Sequence, residues 1–480
     1  MTAAPKFLNS RLVILRLMSL FINREAELGA LKKFYNAKGA QLVVIWGRRR
    51  VGKTELVAQF VRGTPHFYYL AKKLPLATQV KDFLKTFCEQ TSGYVPEISE
   101  WAEGFKFVLE KAAIPGKKLV IAIDEFPYLI EGDKAVPSVF QAIWDGFMHK
   151  ENVMLILLGS SVSMMETEVL GHKSPLYGRR AGQIRLEEFD FGKAKEFFLR
   201  WPIEQVVCAY GILGGVPAYL AKFDPDRGLW ANVEQKILDK TELLYDEPQI
   251  LLKEELREPT TYQIILEAIA TGKNRPSEIA NLTGISFYNL PKYLRVLVNL
   301  GFVEKRYPVT AKKPKPRDTL YALKDNFFNF WFKYVWPHRS EIEAGDVDIV
   351  LKKIKGDFDN YIGRFIFEQI ALQFLSKLNR EDKLPFRFTK AGRWWHKGEE
   401  IDIVALEEER REATFIEVKW ADLRERECGR ILDQLRGKSK LMKWKRTKER
   451  FGIVARAIDN KEKLRRGGYL ALDLKDMAKT

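Results

Sequence analysis

The sequence predicts an α/β protein centred on a parallel sheet, and three apolar runs predict it. Leu42-Val43-Val44-Ile45-Trp46, Leu119-Val120-Ile121-Ala122-Ile123 and Val153-Met154-Leu155-Ile156-Leu157-Leu158 are short and uninterrupted by charge. Runs of that kind are strands buried on both faces, as in a sheet covered by helices on either side.

The first run leads into Gly47-Arg48-Arg49-Arg50-Val51-Gly52-Lys53-Thr54, a full match to G-x-x-x-x-G-K-[ST], and the residues from Thr54 to Val61 read as the start of a helix. In a strand, loop and helix of this kind the glycines let backbone N–H groups converge on phosphate oxygens at a helix N-terminus. Gly47, Arg50, Val51, Gly52, Lys53, Thr54 and Glu55 form the expected nucleotide-binding set. Lys53 reaches the β- and γ-phosphates, and the Thr54 hydroxyl ligates Mg²⁺.

The second run ends in Asp124-Glu125. A buried parallel strand presents its C-terminal end to the ligand side, so Asp124 is expected to hold the Mg²⁺ shell and Glu125 to polarise an attacking water. That predicts hydrolysis as well as binding. The third run ends in Gly159-Ser160-Ser161, where Ser160 or Ser161 either senses the γ-phosphate or merely ends the strand.

At 480 residues the chain exceeds a single core, and usual domain sizes suggest about three. Three scattered cysteines and five scattered histidines exclude a disulfide framework or a cysteine zinc site, leaving a hard cation held by oxygen as the expected metal. The formal net charge is +17, with the basic excess toward the C-terminal half, notably from Pro308 to Arg317 and from Arg430 to Arg466. Such a surface attracts polyanions, nucleic acid above all; the alternative is the solvated surface of a heat-adapted protein. No span reaches the roughly 18 apolar residues of a membrane helix, so a soluble protein is expected, and the scattered cysteines fit a reducing cytoplasm. Residues 1–17 read as an extension before the first domain.

Phe21 to Leu28, the arginine-rich phosphate loop, Asp124-Glu125, Leu158 to Ser161, Tyr177-Gly178-Arg179-Arg180 and Gly214-Gly215-Val216-Pro217 together resemble the archaeal ATPase family, in the STAND and AAA+ branch of P-loop proteins. The resemblance covers roughly the first half of the chain. It implies ATP as ligand, a core at 18–190 and a helical lid at 191–255. It further implies that Asn23 and Arg24, with Glu25, lie beside the base and that Pro217 closes the adenine pocket. Arg179 or Arg180 would then be the γ-phosphate arginine, in cis or from a neighbouring subunit of a homo-oligomer.

Between Leu256 and Leu323 the pattern becomes three short helices and a hairpin. Tyr262 to Ala270 has helical spacing, Pro276-Ser277-Glu278 opens a second helix with Ser277 as its cap, and Tyr288 to Leu300 forms a third, ended by Gly301. Phe302 to Lys305 and Thr319 to Leu323 read as the strands of a wing, with Lys312, Lys313, Lys315 and Arg317 toward its tip. This predicts a winged helix at 256–325, whose Asn289, Lys292, Tyr293 and Arg295 either contact DNA or only pack. The aromatic stretch Asn326 to Trp336 reads as an interdomain packing helix within a linker at 326–350.

The last segment, 351–480, holds a second constellation. Tyr361 to Leu375 reads as an amphipathic helix containing Glu368, followed by strands Glu400 to Leu406 and Thr414 to Trp420. In a strand Glu417 and Lys419 share one face, and a neighbouring hairpin strand brings Asp402 beside them. Carboxylates of this kind hold Mg²⁺ while a lysine positions or activates the nucleophile. The arrangement resembles the restriction-endonuclease-like PD-(D/E)XK superfamily and the C-terminal domain often fused to archaeal ATPases, with Glu368 as the helix carboxylate; Ile401 stands where that pattern has proline. Two functions follow as expectations: ATP-driven DNA processing by a metal-dependent nuclease, or an ATP-dependent switch with an inactive binding module.

Overall fold

The structure is a computed structural model describing residues 21–91, 93–256, 258–313 and 318–479. The extension at 1–17, and Lys315 and Arg317 of the wing, lie outside these residues. The chain forms two compact units, one ending at Glu188 and the other beginning at Phe189.

The first unit holds a parallel sheet of β1 (Gln41–Trp46), β2 (His66–Leu70), β3 (Leu119–Asp124), β4 (Val153–Gly159) and β5 (Gly182–Arg185), in the order β2-β3-β4-β1-β5. The apolar runs divide by parity, as strands must. Val43, Ile45, Val120, Ala122, Met154 and Ile156 pack against the helices Glu25–Asn36 and Lys53–Phe60. Their neighbours Leu42, Val44, Ile121, Ile123, Leu155 and Leu157 pack on the other face, with Phe83, Phe105, Phe126 and Phe140. Register brings the strand ends level, Trp46 opposite Gly159 and Ile123 opposite Leu157. The phosphate loop, Asp124-Glu125 and Ser160 therefore emerge together at the C-terminal ends of the interior strands β1, β3 and β4.

In the second unit one buried core runs from Phe189 to Met477. It spans the boundaries expected at 255, 325 and 350, and the aromatic stretch explains why. Phe327, Phe328, Phe330, Trp331 and Phe332 are fully buried. Asp325 caps their helix, and Trp331 Nε1 donates to the Tyr245 carbonyl at 2.7 Å. The helix ends in a π turn at Trp331–Val335, and another π turn, Ile362–Ile366, joins the helices Val347–Tyr361 and Phe367–Arg380.

Helices Pro259–Ala270, Pro276–Thr283 and Leu290–Asn299 precede a two-stranded antiparallel hairpin, β6 (Val303–Arg306) and β7 (Leu320–Leu323). Gly301, at φ +76°, ends the third helix in the left-handed conformation that favours glycine. The second helix is not capped by Ser277: Pro276 occupies its first turn, and the Glu278 carboxylate accepts from the Asn274 and Arg275 amides.

The last sheet, ordered β12-β11-β10-β9-β8, comprises β8 (Lys390–His396), β9 (Glu399–Glu407), β10 (Glu412–Leu423), β11 (Lys448–Ile458) and β12 (Leu470–Leu472). Its first three strands are antiparallel, whereas β10, β11 and β12 are parallel. Among the described residues no helix is long and apolar enough to cross a membrane.

Candidate active sites

Gly52 opens the helix Lys53–Phe60 at φ +89°. A Cβ on Gly47 would stand 2.2 Å from the Leu186 carbonyl oxygen, so only glycine permits this approach. Arg50 follows in left-handed backbone, Val51 is buried, and Glu55 lies in the first helical turn. Lys53, 5% exposed, donates to the Gly47 and Arg48 carbonyls at 2.9 Å each. Its ammonium thus lies folded back on the loop.

Thr54 Oγ1 donates to Asp124 Oδ2 at 2.6 Å, and the Tyr68 hydroxyl donates to the same oxygen. Burial, then the charge of Asp124, pushes the Tyr68 phenol far above its ordinary pKa, keeping it a donor. Asp124 Oδ1 accepts from the Glu125 amide at 2.8 Å. Ser160 Oγ donates to Glu125 Oε1 at 2.5 Å, and its amide approaches Oε2 at 3.3 Å. In this arrangement the Ser160 hydroxyl orients Glu125.

Arg24 braces the loop, donating to the Val51 carbonyl at 3.0 Å and the Glu187 carbonyl at 2.8 Å. Asn23 has left-handed backbone, and its buried Nδ2 has no hydrogen-bond partner. Arg179 forks onto Asp145 at 2.6 and 2.7 Å, whereas Arg180 donates to Gln183 and to the Leu170 carbonyl. In the second unit Pro217 opens the short helix Pro217–Leu220, after Gly214 at φ +66°.

The C-terminal constellation lies on β8, β9, β10 and the helix Phe367–Arg380. Ile403 pairs with Ile416, so the antiparallel register sets Asp402 beside Glu417, and Asp402 Oδ2 accepts from the Val418 amide at 2.9 Å. Lys419 Nζ lies 2.8 Å from Glu417 Oε1 and 3.8 Å from Asp402 Oδ2, and Lys438 Nζ lies 3.7 Å from Glu417 Oε1. Burial works to lower the Lys419 pKa, but Glu417 and Asp402 outweigh it and hold it raised. Arg393 Nη2 stands 3.6 Å from Glu368, 3.3 Å from Glu400 and 4.0 Å from Asp402. Burial pushes the Glu368 carboxyl up to about 7 against the opposing charge of Arg393.

Glu368 stands apart from Asp402 and Glu417, with Arg393 between them. Among the described residues no three His, Cys, Asp or Glu side chains group tightly enough to hold one ion. The Arg393 guanidinium is shared between Glu368 and Asp402. Asp402 and Glu417 still fit a divalent cation as a pair, because Glu417 Oε2 is buried and has no hydrogen-bond partner.

Residues 21–223 match a family described as an ATPase domain predominantly from Archaea, and residues 331–431 match a family described as Archaea bacterial proteins of unknown function. The uncharacterized protein MJECL04 of Methanocaldococcus jannaschii is 40% identical over 463 residues, which is 96% of this chain and all of that one. The chain belongs to this family of archaeal P-loop ATPases. Among solved structures, the Walker-type ATPase PABY2304 of Pyrococcus abyssi is 22% identical with a TM-score of 0.48, over 65% of this chain and 96% of that one. The ORC2 protein of Aeropyrum pernix is 14% identical with a TM-score of 0.44, over 73% of this chain and 99% of that one.

Three residues of this archaeal P-loop ATPase escaped sequence reasoning. Tyr68 sits in His66-Phe67-Tyr68-Tyr69-Leu70, where nothing marks one phenol as reaching a carboxylate 56 positions away. Arg393 and Lys438 lie outside the strand motifs and are joined to them only by tertiary packing.

Proposed function

We propose that the chain hydrolyses ATP with Mg²⁺ and couples that cycle to DNA, on which Asp402, Glu417 and Lys419 form a metal-dependent phosphodiesterase centre. The run of hydrogen bonds from Thr54 through Asp124 and Glu125 to Ser160 is the observation that carries the hydrolytic reading. It holds one carboxylate beside the Thr54 hydroxyl and a second, oriented one at the same strand end. The loop amides and Lys53 bind phosphate, Thr54 and Asp124 hold Mg²⁺, and Glu125 takes the proton of the attacking water. Mg²⁺, when bound, supplies neutralisation of phosphate charge.

Arg179 or Arg180 acts on the γ-phosphate of a neighbouring copy; for Arg179 the fork onto Asp145 must open first. Asn23 borders the base. Mixing Lys53→Ala protein with an Arg179→Ala, Arg180→Ala double variant is expected to restore some hydrolysis. No rescue between two oligomeric proteins would sink the trans role.

The DNA reading draws on the net charge of +17 and on the three-helix and hairpin segment, read as a winged helix. On it Asn289, Lys292, Arg295, Lys312 and Lys313 are exposed. Tyr293, half-buried, also packs against Tyr262, with ring centroids 5.3 Å apart. At the C-terminal centre Asp402 and Glu417 would hold a divalent cation, supplying a Lewis acid for phosphodiester cleavage, while Lys419 positions the nucleophile.

The second reading is an ATP-dependent switch with a binding module. The ammonium groups of Lys419 and Lys438 beside Glu417 favour it, since they neutralise the carboxylates without any metal. Incubation with single-stranded, duplex, flap and junction DNA in Mg²⁺ or Mn²⁺ decides between the two. Cleavage by the wild type that Asp402→Ala or Glu417→Ala eliminates, with ATP hydrolysis retained, supports the enzyme; cleavage of none supports the switch.

A further inference from the structure

A groove of about 690 Å³ opens in the second unit between Pro308 to Lys312, after β6, and the hairpin of β8 and β9. Half-buried Trp395 and Trp444 line it. Arg275, Lys312, Lys397 and Lys443 also line it, all four exposed and none in an ion pair among the described residues; Asp318, Glu399 and Glu400 line it too, so with Arg393 the cations still outnumber the carboxylates. Lys397, at φ +49°, and Gly398, at φ +90°, form the tight turn that carries the hairpin tip.

The combination narrows the ligand. A purely apolar ligand has no use for four cations, and a lone phosphate has no use for indole faces. A chain that alternates phosphate with flat, unpaired bases uses both. A duplex keeps its base faces stacked inside, out of reach of an aromatic wall. The volume lies within the range of ordinary ligand pockets.

The groove also leads somewhere. Arg393 lines it, has a buried Nε without a hydrogen-bond partner, and reaches Glu368, Glu400 and Asp402 through Nη2. Arg393 is therefore the wall shared by groove and carboxylate centre.

We propose that this groove binds single-stranded nucleic acid, stacking bases on Trp395 and Trp444 and pairing phosphates with Arg275, Lys312, Lys397 and Lys443, so that the strand passes Arg393 to the Asp402 and Glu417 centre. The binding stands on the groove alone; only the destination of the strand rests on the phosphodiesterase reading.

Fluorescence anisotropy of the full chain in EDTA tests it, with labelled oligo-dT, oligo-U and a blunt duplex of equal length. Single strands are expected to bind about tenfold or more tighter than the duplex. Trp395→Ala and Trp444→Ala should each weaken single-strand binding about tenfold, with Trp395→Phe retaining most of it. Equal affinity for dT and U assigns recognition to bases and phosphates alone, whereas preference for one assigns a contact to the sugar; both fit the proposal. Preference for the duplex, or wild-type affinity in folded tryptophan variants, overturns it. Should those variants fail to fold, Lys397→Glu combined with Lys443→Glu, both on exposed side chains, must weaken single-strand binding by more than tenfold for the proposal to stand. Groove binding by a wild type that cleaves nothing removes the phosphodiesterase reading and keeps the groove. Cleavage that persists when the tryptophan variants bind as the wild type does the reverse.

Discussion

Asp124 and Glu125 in the first unit, and Asp402 and Glu417 in the second, are carboxylate pairs carried on sheets, yet their partners differ in kind. Thr54, Tyr68 and Ser160 hold the first pair with neutral hydroxyls. Lys419, Lys438 and Arg393 surround the second with cations. A hydroxyl orients a carboxylate and leaves its charge intact, so the first pair still attracts a divalent ion. An ammonium orients and neutralises together, so a metal at the second pair must displace attraction already in place.

The largest expected effect separates the two roles within the first pair. Glu125→Gln should slow ATP hydrolysis by roughly 10²- to 10⁴-fold with nucleotide affinity nearly kept, the range for losing a positioned base. Single-turnover kinetics beside equilibrium nucleotide binding reads both, and near-normal turnover removes Glu125 from that role. Lys53→Ala comes next: losing a charged phosphate contact should weaken ATP binding by about 10- to 100-fold, measured by calorimetry.

The comparison itself is challenged by Lys419→Ala. If the ammonium competes with a metal, the variant should bind Mn²⁺ roughly five- to tenfold tighter than the wild type by titration calorimetry, an electrostatic gain discounted for solvent screening. Unchanged or weaker Mn²⁺ binding would show that the lysine does not stand in the ion's way. Tyr68→Phe probes the hydroxyl-held pair more gently. Losing one hydrogen bond to Asp124 should raise the Mg²⁺ concentration for half-maximal hydrolysis about fivefold and leave the rate at saturating Mg²⁺ almost unchanged. A purely structural tyrosine would instead lower the melting temperature without moving the Mg²⁺ dependence. The smallest effect is expected from Lys312→Ala with Lys313→Ala, which should weaken DNA binding modestly and flatten its salt dependence by about one to two phosphate contacts.

What sequence could reveal follows the range of the interactions involved. The runs around Val44, Ile121 and Ile156 and the loop from Gly47 to Thr54 were readable because strand burial and the phosphate turn are local properties. The place of β4 between β1 and β3 was not, since strand order is decided by packing among segments far apart in the chain. At the second site, period-two alternation put Glu417 and Lys419 on one face and a hairpin neighbour supplied Asp402. Nothing local announced that Arg393, on the next strand, would lie between Glu368 and Asp402. The boundaries near 325 and 350 were drawn from changes of composition, but the aromatics at Phe327 to Phe332 bury themselves in one core with residues on both sides.

Arg24 grips the phosphate loop at Val51 and the backbone at Glu187, and Arg48 of the loop pairs with Glu188 at 2.5 Å. Glu188 is the last residue of its unit. The loop that must reshape itself around an arriving nucleotide is thus fastened to the peptide from which the rest of the chain departs. Glu187 and Glu188 are therefore the backbone positions nearest the boundary of the unit that a rearrangement of the loop would reach first.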